Sequence, residues 1–368
     1  MDYALRMVAF ADLPGWDDDD PSALLPALRR CGDYVTGTKP HRTGSLGISS
    51  ADLMPAYHAA LSAEISDAAS ARAFFETHFQ PFAIDRADGK PGFVTAFFEP
   101  TVFVSSERDD QYRFPFYRRP DDLVDLDDGN RPRTIDPSFA FGRQIDGLIE
   151  EYPDRRAIET GFLEGRGLEI AFARSKTDVF FAHVQGAARL VFPDGSSRRI
   201  TYAGKSGHPF SAVGRLLIDR GAIEAASVSM QSIKAWLDSH TEAADEVLWH
   251  NRSFIFFREA EVVDPELGPV AAAKVALEPG RSLAVDRLIH TFGVPFFIAS
   301  DTLTRLDEGR PFRRLMLAMD TGTAIVGPSR GDIFTGSGDE AGERAGAVRN
   351  DAAFFILIPK AVAARYGA

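Results

Sequence analysis

The sequence predicts a mainly β protein with peripheral helices, built as two domains and containing a barrel. Three observations predict it. Short β-branched and aromatic runs recur from Gly92 onward, separated by Gly and Pro turns, as in all-β barrels. Helical apolar stripes cluster before Pro81 and again between residues 209 and 250. The length, 368 residues, exceeds that of a usual single domain.

The elements follow in order. Asp20 can cap a helix reaching Val35: Pro21 suits its first position, and Leu24, Leu25, Leu28 and Cys31 share a face. Leu53, Tyr57 and Leu61 space a second helix, and Phe74, Phe75 and Phe79 a third that stops before Pro81. Residues 93–98 read as a strand, followed by 102–104 and 112–117, and the Pro/Asp-rich stretch 120–137 as a loop. Ile145, Leu148, Ile149 and Tyr152 place a helix over 143–152. Strands are expected at 168–173, 179–184 and 188–192, with Pro193-Asp194-Gly195 turning the chain into 198–202. Helices follow at 209–220, ended by Gly221, at 230–239, capped by Ser229, and at 242–250, capped by Thr241. Strands return at 253–258, 282–285, 296–299, 314–319, 333–335 and 354–358.

Composition excludes several functions. A formal net charge of -12 argues against a nucleic-acid partner and against an electrostatic membrane anchor, but does not exclude an uncharged glycan. Cys31 is the single cysteine, so no intramolecular disulfide or cysteine zinc site can form, and its helical stripe predicts burial. The eight histidines lack H-E-x-x-H or comparable spacing, so no metal is expected. No phosphate-binding loop or G-x-S-x-G elbow occurs, and Gly336, Gly338 and Gly342 miss the dinucleotide spacing, so no cofactor is expected. No run of 18 apolar residues is present, and the first residues lack a signal-peptide pattern, which fits a cytosolic chain or a processed exported one.

The most specific residues lie in the C-terminal third. Arg281 to Asp286 (RSLAVD) is followed by Met319 to Ile325 (MDTGTAI), Arg330 to Phe334 (RGDIF), Gly336-Ser337-Gly338 and Glu340-Ala341-Gly342. This order resembles the 3D domain, named for three aspartates, as carried by the MltA family of murein transglycosylases. Upstream, Thr95 to Pro100 (TAFFEP), Phe114 to Pro120 (FPFYRRP), Val184-Gln185-Gly186, Tyr202 to His208 (YAGKSGH), Ser229 to Trp236 and Asn251 to Phe257 resemble the family's other signatures. The chain departs from the pattern at Ala187-Ala188, Ser206 and Phe210, and at Thr291-Phe292-Gly293, preceded by His290, where the family has P-x-G.

The resemblance implies a double-psi β-barrel domain from residues 1–100 and 245–368, an inserted β-rich substrate-binding domain from 101–244, and a groove between them. It implies a cofactor-free lyase, a peptidoglycan lytic exotransglycosylase. Such an enzyme cleaves the β-1,4 bond between N-acetylmuramic acid and N-acetylglucosamine and releases 1,6-anhydromuropeptides. The implied partner is the peptidoglycan glycan strand, the implied state a monomer, and the implied place the periplasm, with outer-membrane association left open.

Glycoside cleavage needs a proton on the leaving oxygen and stabilisation of an oxocarbenium-like transition state. When the sugar's own 6-hydroxyl replaces water, one carboxyl can act as acid and then as base. The resemblance puts that role on Asp332. Asp332 and Phe334 fall on one face of a strand, where an apolar neighbour would raise the carboxyl's pKa. Asp320, in a D-T-G setting, is read as bonding backbone amides in support of the site, and Asp286 as structural or supporting. Thr95, Phe98, Glu99, Gln185, Gly186, Lys205, Gly322, Ala324 and Arg330 are the expected substrate contacts. Strand neighbours face opposite sides, so Phe98 is expected to reach substrate and Phe97 the core. Two other readings stay open: a non-catalytic murein-binding module, from the QGAA and AGKSG departures, and an aspartic protease-like dimer, from the single D-T-G.

Overall fold

The computed structural model describes residues 3–262 and 264–367. The chain divides into two compact units, Met1–Phe98 with Val262–Ala368, and Glu99–Glu261. It is mostly β, with several helices.

The first unit opens with β1 (Tyr3–Met7), α1 (Leu24–Gly37), α2 (Ser50–Ser62), α3 (Ala68–His78), β2 (Phe79–Arg86) and β3 (Gly92–Glu99). Local chemistry sets these helices. Asp20 accepts from the Ser22 amide, but it caps a short 3-10 turn, Pro21–Ala23, that leads into α1. Leu24, Leu25, Leu28 and Cys31 are all buried, as their spacing predicts. Ser49 with Asp52, and Asp67 with Ser70, form reciprocal capping boxes at α2 and α3.

The second unit contains β4 (Thr101–Ser105), β5 (Phe114–Tyr117), β6 (Leu123–Asp125), β7 (Phe141–Ile145), β8 (Leu148–Glu150) and the single turn α4 (Arg155–Ala157). It continues with β9 (Glu169–Ala173), α5 (Lys176–Gln185), β10 (Ala187–Val191), β11 (Ser197–Lys205), α6 (Val213–Asp219), α7 (Met230–Ser239), α8 (Thr241–Trp249) and β12 (Ile255–Glu259). One sheet runs β12-β11-β10-β4-β9-β5 and a smaller one β6-β7-β8.

Four expectations change here. Residues 143–152 form no helix: β7 and β8 are a hairpin with Ile145 opposite Leu148. Asp146 and Gly147 both have positive φ, 49° and 81°, the conformation that a D-G pair favours in a two-residue turn. Residues 179–184 are helical rather than extended. Ser175 accepts from the Asp178 amide at the start of α5, and Gly186 closes its end at φ 74°. Thr241 lies inside α8, preceded by His240, which makes no side-chain cap. The second unit also runs to Glu261, past the expected 244, because β12 pairs antiparallel with β11.

Arg155, 1% exposed, ties this unit together. Its Nε donates to the Asn251 carbonyl at 2.9 Å and its Nη2 to the Ser253 carbonyl at 2.6 Å, while Nη1 pairs with Glu159 at 3.0 Å. The guanidinium lies over the rings of Phe180 and Phe254. A buried cation needs all of these partners to offset its lost hydration.

The chain returns to the first unit with β13 (Ser282–Val285), β14 (Pro295–Ser300), β15 (Phe312–Asp320), β16 (Arg330–Ser337), α9 (Asp339–Gly346), β17 (Arg349–Pro359) and α10 (Lys360–Ala363). The sheet runs β1-β2-β17-β14-β15-β13-β16-β3, and β17 also pairs with β3. Six of its strands, β17, β14, β15, β13, β16 and β3, thereby pair in a closed circuit. Phe296, Ile298, Leu315, Leu317, Ile333, Phe334 and Ile356 share one core with the apolar faces of α1 to α3.

Candidate active site

The site is built on β13, between β15 and β16. Ala284 has Asp320 as its partner on β15 and Asp332 as its partner on β16. Directly opposed residues in neighbouring strands point to one face, so the two carboxylates flank the Ala284 methyl. Two strand spacings separate their backbones by about 10 Å. A register shift between Leu283 and Ala284 brings Asp320 into this position.

Asp332 is half-buried. The Thr95 hydroxyl, from β3, donates to its Oδ1. Arg330 donates from Nη2 to Thr95 Oγ1 at 2.7 Å and from Nη1 to the Gly331 carbonyl, with its guanidinium over the Phe93 ring. Because Thr95 Oγ1 accepts from Arg330, its one proton is directed at Asp332. Burial raises the Asp332 pKa, while the Thr95 hydrogen bond and the Arg330 charge oppose that rise. Phe334, two residues along the strand, is fully buried and packs against Phe97 with ring centroids 5.3 Å apart.

Asp320 is held differently. Its Oδ1 accepts the Ala272 amide at 3.1 Å, which matches the expected backbone-bonding role. Burial raises its pKa to about 6, with the negative charge of Asp332 adding to the rise. Asp286 is buried and accepts the amides of Leu288 at 3.0 Å and Gly327 at 2.8 Å, a structural role.

Several expected substrate contacts have other duties. Phe98 is buried, and its ring fills the space beside Gly342, where a Cβ would lie 2.8 Å from it. Phe97 is the half-buried member of the pair. The reason is strand parity: Thr95 faces Asp332, and Phe97, two residues on, shares that face. Glu99 is fully buried and pairs with Arg199 at 3.3 Å and Arg189 at 3.8 Å, so it is an internal ion pair. Gly186 ends α5 in the left-handed region, and its carbonyl accepts the Tyr202 amide at 2.8 Å. Gln185, just before it, is half-buried. Lys205 is half-buried on β11, where burial lowers its ammonium pKa. Gly322 and Ala324 are exposed on the loop after Asp320. Thr95, expected as a substrate contact, bonds Asp332 itself, and Arg330, expected as another, bonds Thr95.

Sequence reasoning missed the Ala272 amide and the nearby Lys274 charge, which acts on Asp320. Neither carries a local signal, because each reaches Asp320 from a distant part of the chain. Among the described residues, no group of three or more His, Cys, Asp or Glu is placed to hold a metal, and no helix is long and apolar enough to cross a membrane.

Comparison with known proteins identifies the family. Residues 93–258 match the MltA specific insert domain and residues 281–358 match the 3D domain. A crystal structure of a membrane-bound lytic murein transglycosylase from Agrobacterium tumefaciens is 58% identical, covers 99% of both chains and superposes with a TM-score of 0.93. MltA from Neisseria gonorrhoeae, in a monoclinic crystal form, is 31% identical over 97% of this chain and 93% of that one, with a TM-score of 0.79. Membrane-bound lytic murein transglycosylase A of Escherichia coli K12 is 33% identical over 68% of this chain, and the match spans 61% of the length of that relative. The insert domain, the 3D domain that carries Asp320 and Asp332, and the match along the whole length of the Agrobacterium protein place this chain in the MltA family of membrane-bound lytic murein transglycosylases.

Proposed function

We propose that this chain is a lytic transglycosylase that cleaves the β-1,4 bond between N-acetylmuramic acid and N-acetylglucosamine in peptidoglycan, with Asp332 as its single acid and base. The observation that carries this reading is the setting of Asp332. Burial favours its protonated form, a directed hydroxyl favours its charged form, and its Oδ2 carries no protein hydrogen bond among the described residues. A group held between these opposing effects suits alternate use as acid and base.

In the first step the Asp332 carboxyl gives its proton to the glycosidic oxygen as the bond from the muramic C1 to that oxygen breaks. Positive charge then develops at C1 and the ring oxygen, facing the new carboxylate. In the second step that carboxylate takes the proton of the muramic 6-hydroxyl while its oxygen bonds to C1. The 1,6-anhydro ring closes, Asp332 is protonated again, and no water is consumed. Thr95 and Arg330 stabilise the carboxylate between the steps. Asp320, bound to the Ala272 amide, supports the strand geometry.

The reading extends to features supported by the family resemblance. Gly322 and Ala324 on the exposed loop, with Gln185, Gly186 and Lys205 in the second unit, are proposed to meet the glycan. The circuit of six paired strands is proposed to be the family's double-psi β-barrel. The relatives' description as membrane-bound supports a periplasmic location with outer-membrane association. An exolytic mode and a monomeric state are proposed with it.

Product analysis on intact sacculi tests the proposal. Wild-type protein is expected to release muropeptides with 1,6-anhydro ends by mass spectrometry, and Asp332→Ala none. Reducing ends would overturn the transglycosylase assignment. Binding to sacculi without any product would favour a murein-binding module instead.

A further inference from the structure

The residues joining β15 to β16 run from Thr321 to Ser329 and link the two carboxylate-bearing strands. They form no regular element, and Gly322, Thr323, Ala324 and Val326 are exposed. Such a loop is held by few internal contacts, the Ile325 amide to the Gly322 carbonyl being one. Its end is nonetheless fastened at three consecutive residues. The Gly327 amide donates to Asp286 Oδ2 at 2.8 Å, the Pro328 carbonyl accepts from His290 Nε2 at 2.8 Å, and the Ser329 carbonyl accepts the Phe93 amide at 2.9 Å. Arg330 and Asp332 come next.

Two of these three ties come from one short turn, residues 286–290. A carbonyl only accepts, so His290 carries its proton on Nε2. The His290 amide donates to the Asp286 carbonyl at 2.8 Å, and its ring is fully enclosed, edge-on to Phe296 with centroids 4.9 Å apart. Pro328 has no N–H, so its carbonyl is its one backbone polar group, and His290 meets it. Gly327 has φ 115°, a conformation that a side chain would strain. The turn itself follows β13, whose Ala284 sits between Asp320 and Asp332.

We infer that Asp286 and His290 act together as a clasp that positions the loop 321–329, and through it Arg330 and Asp332, for the reaction. Both are positioning residues; neither touches the reacting atoms. His290 immediately precedes Thr291-Phe292-Gly293, the stretch where this chain departs from the P-x-G pattern of its family. Thr291, in the same stretch, is also tied in place, accepting the Gly44 amide at 3.0 Å and donating to the Ile48 carbonyl. This inference rests on the proposed function for its kinetic test, but its structural test does not.

The experiment compares His290→Gln, which can still donate an N–H toward Pro328, with His290→Leu, which cannot. On solubilised murein, His290→Leu is expected to lose about tenfold to a hundredfold in kcat, the effect of misplacing a reacting group by roughly 1 Å. His290→Gln should recover most of that loss, and both variants should retain a melting temperature close to wild type. Hydrogen exchange supplies a readout independent of turnover: the amides of residues 322–331 should exchange at least about tenfold faster in His290→Leu than in His290→Gln. If wild-type protein shows no turnover, the proposed function fails and the exchange comparison alone decides the clasp. Unchanged exchange in His290→Leu overturns the inference, as does equal loss of kcat and of melting temperature in both variants.

Discussion

Thr95→Val isolates the interaction that sets the protonation of Asp332. The hydroxyl donates to Asp332 Oδ1 and thus favours the carboxylate. A hydrogen bond to a charged group contributes about 1.5–3 kcal/mol. Asp332 is only half-buried, so solvent replaces part of the loss, and the lower end of that range applies. At roughly 1.4 kcal/mol per pKa unit, removal of the hydroxyl raises the Asp332 pKa by about one unit. The sign for the rate follows. The proposed first step needs protonated Asp332, so activity is expected to fall as pH rises through its pKa, and in Thr95→Val that fall moves up by about one pH unit. Arg330 also loses an acceptor, which is expected to lower the melting temperature but not to reverse the shift, because its Nη1 stays on the Gly331 carbonyl. The assay is the initial rate of soluble muropeptide release from labelled sacculi across acid to neutral pH, with Thr95→Ser as the control that keeps the hydroxyl. A fall at the wild-type pH in Thr95→Val, or an equal displacement in Thr95→Ser, would refute the reasoning.

Two further predictions concern buried charge. Arg155→Met leaves the carbonyls of Asn251 and Ser253 without this donor and removes the cation from Glu159 Oε1, whose other oxygen keeps Trp249 and Lys176, so chemical denaturation should show a loss of about 3–5 kcal/mol; a loss under about 1 kcal/mol would contradict the role given to Arg155. Asp320 has a folded pKa of about 6, above the unfolded value of roughly 3.9, so native protein binds the extra proton and stability falls as pH rises from about 4 to about 6. Asp320→Asn should therefore be more stable than wild type above pH 6, by about 1–2 kcal/mol after discounting for solvent screening, and equal to it below pH 4. Parallel stability curves for the two proteins would show that Asp320 does not titrate in this way.

What the sequence showed and what it hid divide along contact distance. The helices before Pro81 were legible because caps and apolar spacing are local: Asp20, Ser49 and Asp67 all bond amides within three residues of themselves. The hairpin at Asp146-Gly147 was equally local, but Ile145, Leu148 and Ile149 also fit a helical period, and the positive φ at the turn decided the outcome. For α5, the apolar run from Val179 to Val184 masked the Ser175 cap and the Gly186 terminator. Phe97 and Phe98 show a different limit. Alternation was clear, but which side faced Asp332 depended on the pairing of β3, which no local pattern sets. Asp332 itself was singled out by its family motif, whereas the Ala272, Thr95 and Arg330 contacts around the carboxylates emerged only from the folded chain.

The two carboxylates beside Ala284 differ in a way that bears on why the proposed reaction uses only Asp332. Asp320 has an oxygen committed to the Ala272 amide, so a proton exchanged with substrate would compete with a backbone bond that fixes the segment near β15. Asp332 has one oxygen fastened by Thr95, while its other oxygen makes no protein hydrogen bond among the described residues. Its proton can leave and return without disturbing any backbone contact. The charge that appears on departure is met at once by a hydroxyl already turned toward it, because Arg330 occupies that hydroxyl's acceptor side. Preorganisation of this kind stabilises the intermediate without reorienting dipoles during the reaction. Besides holding the Ala272 amide, Asp320 responds to the charge on Asp332. A carboxylate forming on Asp332 makes Asp320 harder to ionise, so the pair avoids holding two full negative charges across β13. The observable consequence is coupling: in Asp332→Asn the negative charge that raises the Asp320 pKa is gone, so the loss of stability set by Asp320 as pH rises should move to lower pH.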